Sequence, residues 1–144
     1  MGFHLVEPEV AGGHGRGTRY DRSTVPVTVT ALEYRFDGWL GDALLESTPC
    51  FIVTEDLARS IERLELTGVH FDTVSVSISS KGREFMDTEL PTWKWLKLTG
   101  RAGESDFALN DELCLVVSDR ALKLLQEAGI HYADVVALGP PSGS

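Results

Sequence analysis

The chain has 144 residues, 42% of them hydrophobic and 24% charged, which is the size and composition of one globular domain. A domain of that length buries roughly 70% of its unfolded surface, enough for a core without disulfide or metal staples, and the composition excludes disordered and collagen-like classes. The formal net charge of −9 disfavours nucleic acid as the main partner, because phosphate repels an acidic surface, and suits a basic protein partner.

No apolar run approaches the roughly 18 residues of a membrane span. The first ten residues carry Glu7 and Glu9 and lack the basic-then-apolar pattern of a signal peptide. The expected compartment is therefore the cytoplasm, with Cys50 and Cys114 as free thiols.

Residues 1–24 read as an ordered surface loop, because Gly12, Gly13, Gly15 and Gly17 crowd one stretch. Their spacing matches neither a Walker nor a dinucleotide-binding loop. Val25, Val27, Val29 and Ala31 alternate with threonines, which predicts a half-buried strand over 25–36 with Pro26 confining its start to an edge. Residues 36–42 read as a turn leading into a short helical stretch through Leu45, ended by Pro49. A strand follows over 50–53, then a helix capped by Thr54 and stopped at Gly68. Residues 69–78 form the next strand, and 79–90 a polar connection with one short helix. Trp93, Trp95 and Lys97 share one face of a strand, with Lys94, Leu96 and Leu98 on the other. Residues 100–110 read as a loop and 113–117 as a strand. Ser118 caps a helix stopped by Gly129, residues 130–138 form the last strand, and 139–144 a loose tail.

Two stretches correspond. Cys50, an apolar strand, Thr54, Glu55, a helix, Gly68, Val69, His70 and Phe71 match Cys114, an apolar strand, Ser118, Asp119, a helix, Gly129, Ile130, His131 and Tyr132. The expected fold is α/β or α+β mixed: a single domain over 1–144, with a mixed sheet, packed helices and a duplicated strand–helix–strand unit at 50–78 and 114–138.

The same correspondence supplies the metal candidates. Cys50, His70, Cys114 and His131 are zinc-ligating residue types, but no two lie within a few residues as in a zinc finger. Equivalent positions in a duplicated scaffold explain the set without chemistry. A cysteine–histidine dyad lacks any local sign of an oxyanion hole or orienting group, and the acids give no paired-carboxylate pattern. The sequence thus assigns no catalytic residue, no cofactor and no metal. Its candidate partner-binding residues are in the non-repeating parts: Asp37, Trp39 and Asp42 in 36–42, Glu84, Asp87 and Glu89 in 81–90, and Glu104, Asp106 and Asp111 in 101–111.

Residues 7–12 (EPEVAG), 36–42 (FDGWLGD), 66–71 (LTGVHF), 99–107 and 115–122 (LVVSDRAL) resemble an actinobacterial family of small uncharacterised proteins. Leu66-Thr67-Gly68 before a strand and Val117-Ser118-Asp119 at a helix start are also similar to immunity proteins of polymorphic-toxin systems, including the double-CXXCG family. The sequence has no Cys-x-x-Cys pair, so the metal knuckle of that family is missing. The resemblance implies a non-enzymatic immunity protein that covers the active site of a basic toxin domain. A small-ligand or metal-binding enzyme with a cleft between the repeat units, and a structural or regulatory homo-oligomer, are the alternative expectations.

Overall fold

The computed structural model describes residues 2–138 apart from Pro26, Asp87 and Thr88, with Phe85 described in its backbone only. The expected edge role of Pro26, the candidate Asp87 and the tail 139–144 lie outside the described residues. Within them the chain is α+β and mostly sheet, with thirteen strands and three helices.

Two helices form where the local signals place them. Thr54 accepts the Leu57 N–H at 3.2 Å and opens α1 (Glu55–Arg63), and Ser118 accepts the Ala121 N–H at 3.2 Å and opens α3 (Asp119–Ala128). Acids in both first turns complement the helix dipole. Leu57, Ala58 and Ile61 of α1 and Ala121, Leu122, Leu124 and Leu125 of α3 are buried in one shared core.

Four strands make the central sheet: β6 (Leu44–Ser47), β7 (Cys50–Thr54), β10 (Trp93–Leu98) and β8 (Val69–Asp72), side by side in that order and all antiparallel. A second sheet has β11 (Phe107–Leu109), β12 (Leu115–Ser118), β1 (Phe3–Glu7) and β13 (Asp134–Ala137), also antiparallel throughout. In both, the strands before and after the helix run in the same direction with one antiparallel strand between them. β10 fills the gap between β7 and β8, and β1 the gap between β12 and β13.

The central sheet is buried on both faces. Leu44, Phe51, Val53 and Leu96 meet α1, α3 and the second sheet. Leu45, Cys50, Ile52, Trp93 and Trp95 meet Tyr34 and Phe36 from a third sheet, made of β2 (Gly12–His14), β5 (Glu33–Phe36) and β9 (Ser75–Ile78). In that third sheet β5 and β9 are parallel. A ribbon of β3 (Arg19–Asp21) and β4 (Thr28–Ala31) lies apart from these sheets, and α2 (Ser80–Phe85) follows β9.

Several expectations change. Residues 1–24 hold three strands: Gly12 sits in β2 because a Cβ there would collide with the Arg35 carbonyl, so the glycine permits close approach. The helical stretch expected through Leu45 is strand β6, since Leu44 and Leu45 serve opposite buried faces and leave no alternation to read. Residues 25–36 divide into β4 and β5, and 69–78 into β8 and β9, which belong to different sheets. β9 therefore lies outside the first strand–helix–strand unit. β11 occupies part of the expected 100–110 loop, and the last strand is shortened to β13. Among the described residues no helix is long and apolar enough to cross a membrane.

Gly68 adopts φ +87°, and a Cβ there would run into the Phe107 carbonyl. Gly68→Ala should therefore lower stability by about 2 kcal/mol or more, measured by urea unfolding; an unchanged midpoint would contradict this close approach.

Candidate functional site

Of the described candidates, Glu84, Glu89, Glu104 and Asp111 are exposed and Asp37 and Trp39 half-buried. Asp42 and Asp106 are buried, and their oxygens are used inside the protein. Asp42 accepts the His131 and Tyr132 N–H groups, both at 2.8 Å, at the corner after α3. The neighbouring Ala43 N–H donates to the Gly129 carbonyl at 2.9 Å. Asp106 does the reciprocal work at the corner after α1. Its Oδ2 accepts the Thr67 N–H at 2.8 Å and the Thr67 hydroxyl at 3.1 Å, while the Phe107 N–H donates to the Thr67 carbonyl at 3.1 Å. Arg120 adds a two-pronged ion pair at 2.9 and 2.7 Å, and the Ser118 hydroxyl donates at 2.6 Å. Neither aspartate can reach a partner, which withdraws both as contact residues.

The turn over 37–42 is fixed from beneath. Glu9, buried at 6% exposure, accepts the Leu40 N–H at 2.7 Å and the Asp42 N–H at 3.2 Å. Burial raises the Glu9 carboxyl above its ordinary range, against the lowering effect of those two N–H groups. Trp39 donates its Nε1 hydrogen to the Asp42 carbonyl at 2.9 Å and packs edge-on to Trp93 at 5.6 Å. These anchors leave Leu40 projecting at 63% exposure. α2 rests directly on the turn: the Ser79 N–H donates to the Phe36 carbonyl at 2.9 Å, and Gly82 lies too close to that carbonyl for a Cβ. Trp39, Met86 and Leu90 pack into the same core cluster. Gly82 of α2 thus lies against Asp37, and Glu84 is exposed on the same helix, with Glu89 exposed in the segment that follows. Lys81 and Arg83 share α2, so the patch is acidic at the turn and mixed along the helix. Trp93 Nε1, buried beside Trp39, has no hydrogen-bond partner among the described residues.

Glu104 and Asp111 are exposed and separate from this patch in the chain's packing. Glu104 lies 3.8 Å from Arg101 in the loop folded over Gly68. Asp111 follows Asn110, whose Oδ1 accepts the Glu112 and Cys114 N–H groups at 2.9 and 3.0 Å.

Cys50, His70, Cys114 and His131 do not converge. Among the described residues no three potential ligands of the histidine, cysteine, aspartate and glutamate types are grouped to hold a metal. Cys50 is buried in β7 with its thiol pushed up to about 12 by burial, whereas Cys114 is half-buried just before β12. The histidines are not equivalent positions. His70 pairs with Lys97 inside β8, whereas His131 occupies the turn before β13. His70 faces Lys97, and at the matching register position of the second sheet Asp134 faces Glu7.

The sequence reading missed Glu9, whose sequence neighbours Pro8 and Val10 give no hint of the turn it holds 31 residues away. It also missed an apolar cleft of about 260 Å³ beside Trp95 and Lys97, assembled from segments far apart in the chain. No family model, curated protein or solved structure matches the chain significantly.

Arg120, with help from Ser118 and Thr67, holds the Asp106 carboxyl well below its ordinary 3.8. A depressed carboxyl stabilises the fold above the unfolded-state pKa, and that contribution drains away as pH falls below about 3.9. Asp106→Asn should cost about 3 kcal/mol at pH 7 and clearly less at pH 3, read from urea unfolding at both pH values. An equal cost at both would deny the charge its role.

Proposed function

We propose that the chain is a non-enzymatic acidic binding protein that neutralises a bacterial toxin by covering its active site. The observation that carries this reading is the turn over 37–42. Buried Glu9 and the Trp39 indole immobilise its backbone, and Leu40 projects at 63% exposure beside Asp37. A rigid turn loses little entropy on docking, and a projecting leucine fits a pocket on the partner. The acids Asp37, Glu84 and Glu89, with the net charge of −9, favour a basic partner and speed its approach. The short resemblances at Leu66-Thr67-Gly68 and Val117-Ser118-Asp119 favour a toxin domain encoded nearby as that partner, and a cytoplasmic site of action goes with this reading.

We infer also that the two strand–helix–strand units are duplicates. The supporting evidence is topological. Both sheets have the same order and strand directions, and both registers agree when Thr54 is set on Ser118: Trp93 opposite Thr54 corresponds to Phe3 opposite Ser118, and Phe71 opposite Leu96 to Val135 opposite Val6. In this alignment the units run over 44–72 and 107–137, with β10 and β1 as the equivalent inserted strands.

Co-expression with the products of neighbouring genes tests the binding reading. A toxic neighbour should be rescued by this chain and co-purify with it. Leu40→Asp should weaken that complex about tenfold or more without lowering the melting temperature. No toxic neighbour, no rescue and no complex would defeat the proposal.

A further inference from the structure

A second surface, remote from the 37–42 turn in its composition, has the chemistry of a small-ligand site. The cleft of about 260 Å³ is lined by residues 27–29 of the ribbon, 49–51 at the start of β7, 95–98 of β10, and Leu109 and Leu113. Eleven of these twelve residues are uncharged, most of them apolar, and Lys97 alone carries a charge. Its ammonium lies 4.5 Å from the centre of the largely buried Trp95 ring, so the Lys97 stem and the edge of the indole put apolar surface next to one positive charge. The Asp72 carboxylate is 3.4 Å away, and both side chains are partly exposed, so this is a long, solvated pair that an incoming anion can displace.

The rim also departs from an ordinary surface. Val27 and Leu113 stand 46% and 43% exposed at the cleft. Leu113 takes φ +64°, a conformation that leucine rarely adopts, and Asn110 fixes it there through the Glu112 and Cys114 N–H groups. Local strain is thus accepted where a leucine is turned to the cleft.

We propose that this cleft binds an amphiphilic monocarboxylate, its hydrocarbon chain against Trp95, Leu109 and Leu113 and its carboxylate on Lys97. A bound carboxylate would share the Lys97 ammonium with Asp72, one singly charged group beside another, whereas a doubly charged phosphate would meet more repulsion from Asp72. The cleft of about 260 Å³ is open to solvent on one side and has room for a medium-length chain such as octanoate.

The test titrates the whole chain with octanoate, octanol and octylammonium and follows backbone amide shifts by NMR. Octanoate should bind saturably, with shifts concentrated at Val29, Cys50, Lys97 and Leu113. Octanol should bind about tenfold more weakly, and octylammonium more weakly still, because a charge-assisted contact is lost and then reversed. Lys97→Met, which keeps the stem and should keep the fold, should bring octanoate down to the level of octanol. Leu113→Asp should weaken octanoate and octanol alike. The proposal is overturned if octanoate produces no saturable shifts, if they map to other residues, or if the three ligands bind equally and Lys97→Met changes nothing.

Discussion

Each helical unit of this protein lacks the strand that would complete its sheet, and the rest of the structure depends on how that gap is filled. β7 and β8 run the same way but stand two strand widths apart, as do β12 and β13. The gap in the first unit is closed by β10, which comes after it in the chain, and the gap in the second by β1, from the other end. Two buried aspartates lock the arrangement. Asp42, leading into the first unit, holds the corner after α3 of the second, and Asp106, leading into the second, holds the corner after α1 of the first. Asp42 is compensated by two backbone N–H donors of the opposite unit, whereas Asp106 takes Thr67 from the opposite unit and Arg120 and Ser118 from its own.

The central sheet is an internal layer, covered by α1 and α3 on one side and by the third sheet on the other. Trp93 and Trp95 are therefore core residues, and the aromatic contacts among Tyr34, Phe36, Trp39 and Trp93 tie the third sheet down. The two proposed binding features lie at the margins of this layer. At one margin the Glu9-anchored turn projects Leu40, and at another the ribbon and the Asn110 turn border the cleft at Lys97. Both features are bordered by segments that pack on the core: Trp39 and Val29 each lie against the cluster around Trp93 and Trp95.

The sequence made the local features legible. Thr54 and Ser118 show as caps because capping is decided within three residues, and the stripes of α1 and α3 show because their period belongs to the helix itself. The alternation over 93–98 also reads correctly, since β10 has two distinct core faces. β2 was obscured because its glycines look like loop residues, and β6 because both of its faces are buried. Asp42 and Asp106 look like turn acids in Gly41-Asp42 and Ser105-Asp106. Their partners lie 89, 90 and 39 residues away, so no local pattern could distinguish a buried brace from a surface charge. The apparent pairing of His70 with His131 was a coincidence of glycine and histidine spacing: the strand after Gly68 starts at once, whereas that after Gly129 starts only at Asp134. Of the candidate surface, the 37–42 turn was visible from its Asp-Gly-Trp-Leu-Gly-Asp sequence, but the Glu9 anchor and the cleft were not, because long-range packing assembles them.

Native-state hydrogen exchange tests the mutual bracing most directly. If the units stabilise one another through their shared core and the buried aspartates, the amides of Ile52 and Val53 in β7 and of Val116 and Val117 in β12 should share one opening free energy. Asp42→Asn should lower that energy equally in both strands. Separate opening energies in the native protein, or a loss of protection confined to one unit in the variant, would contradict the account.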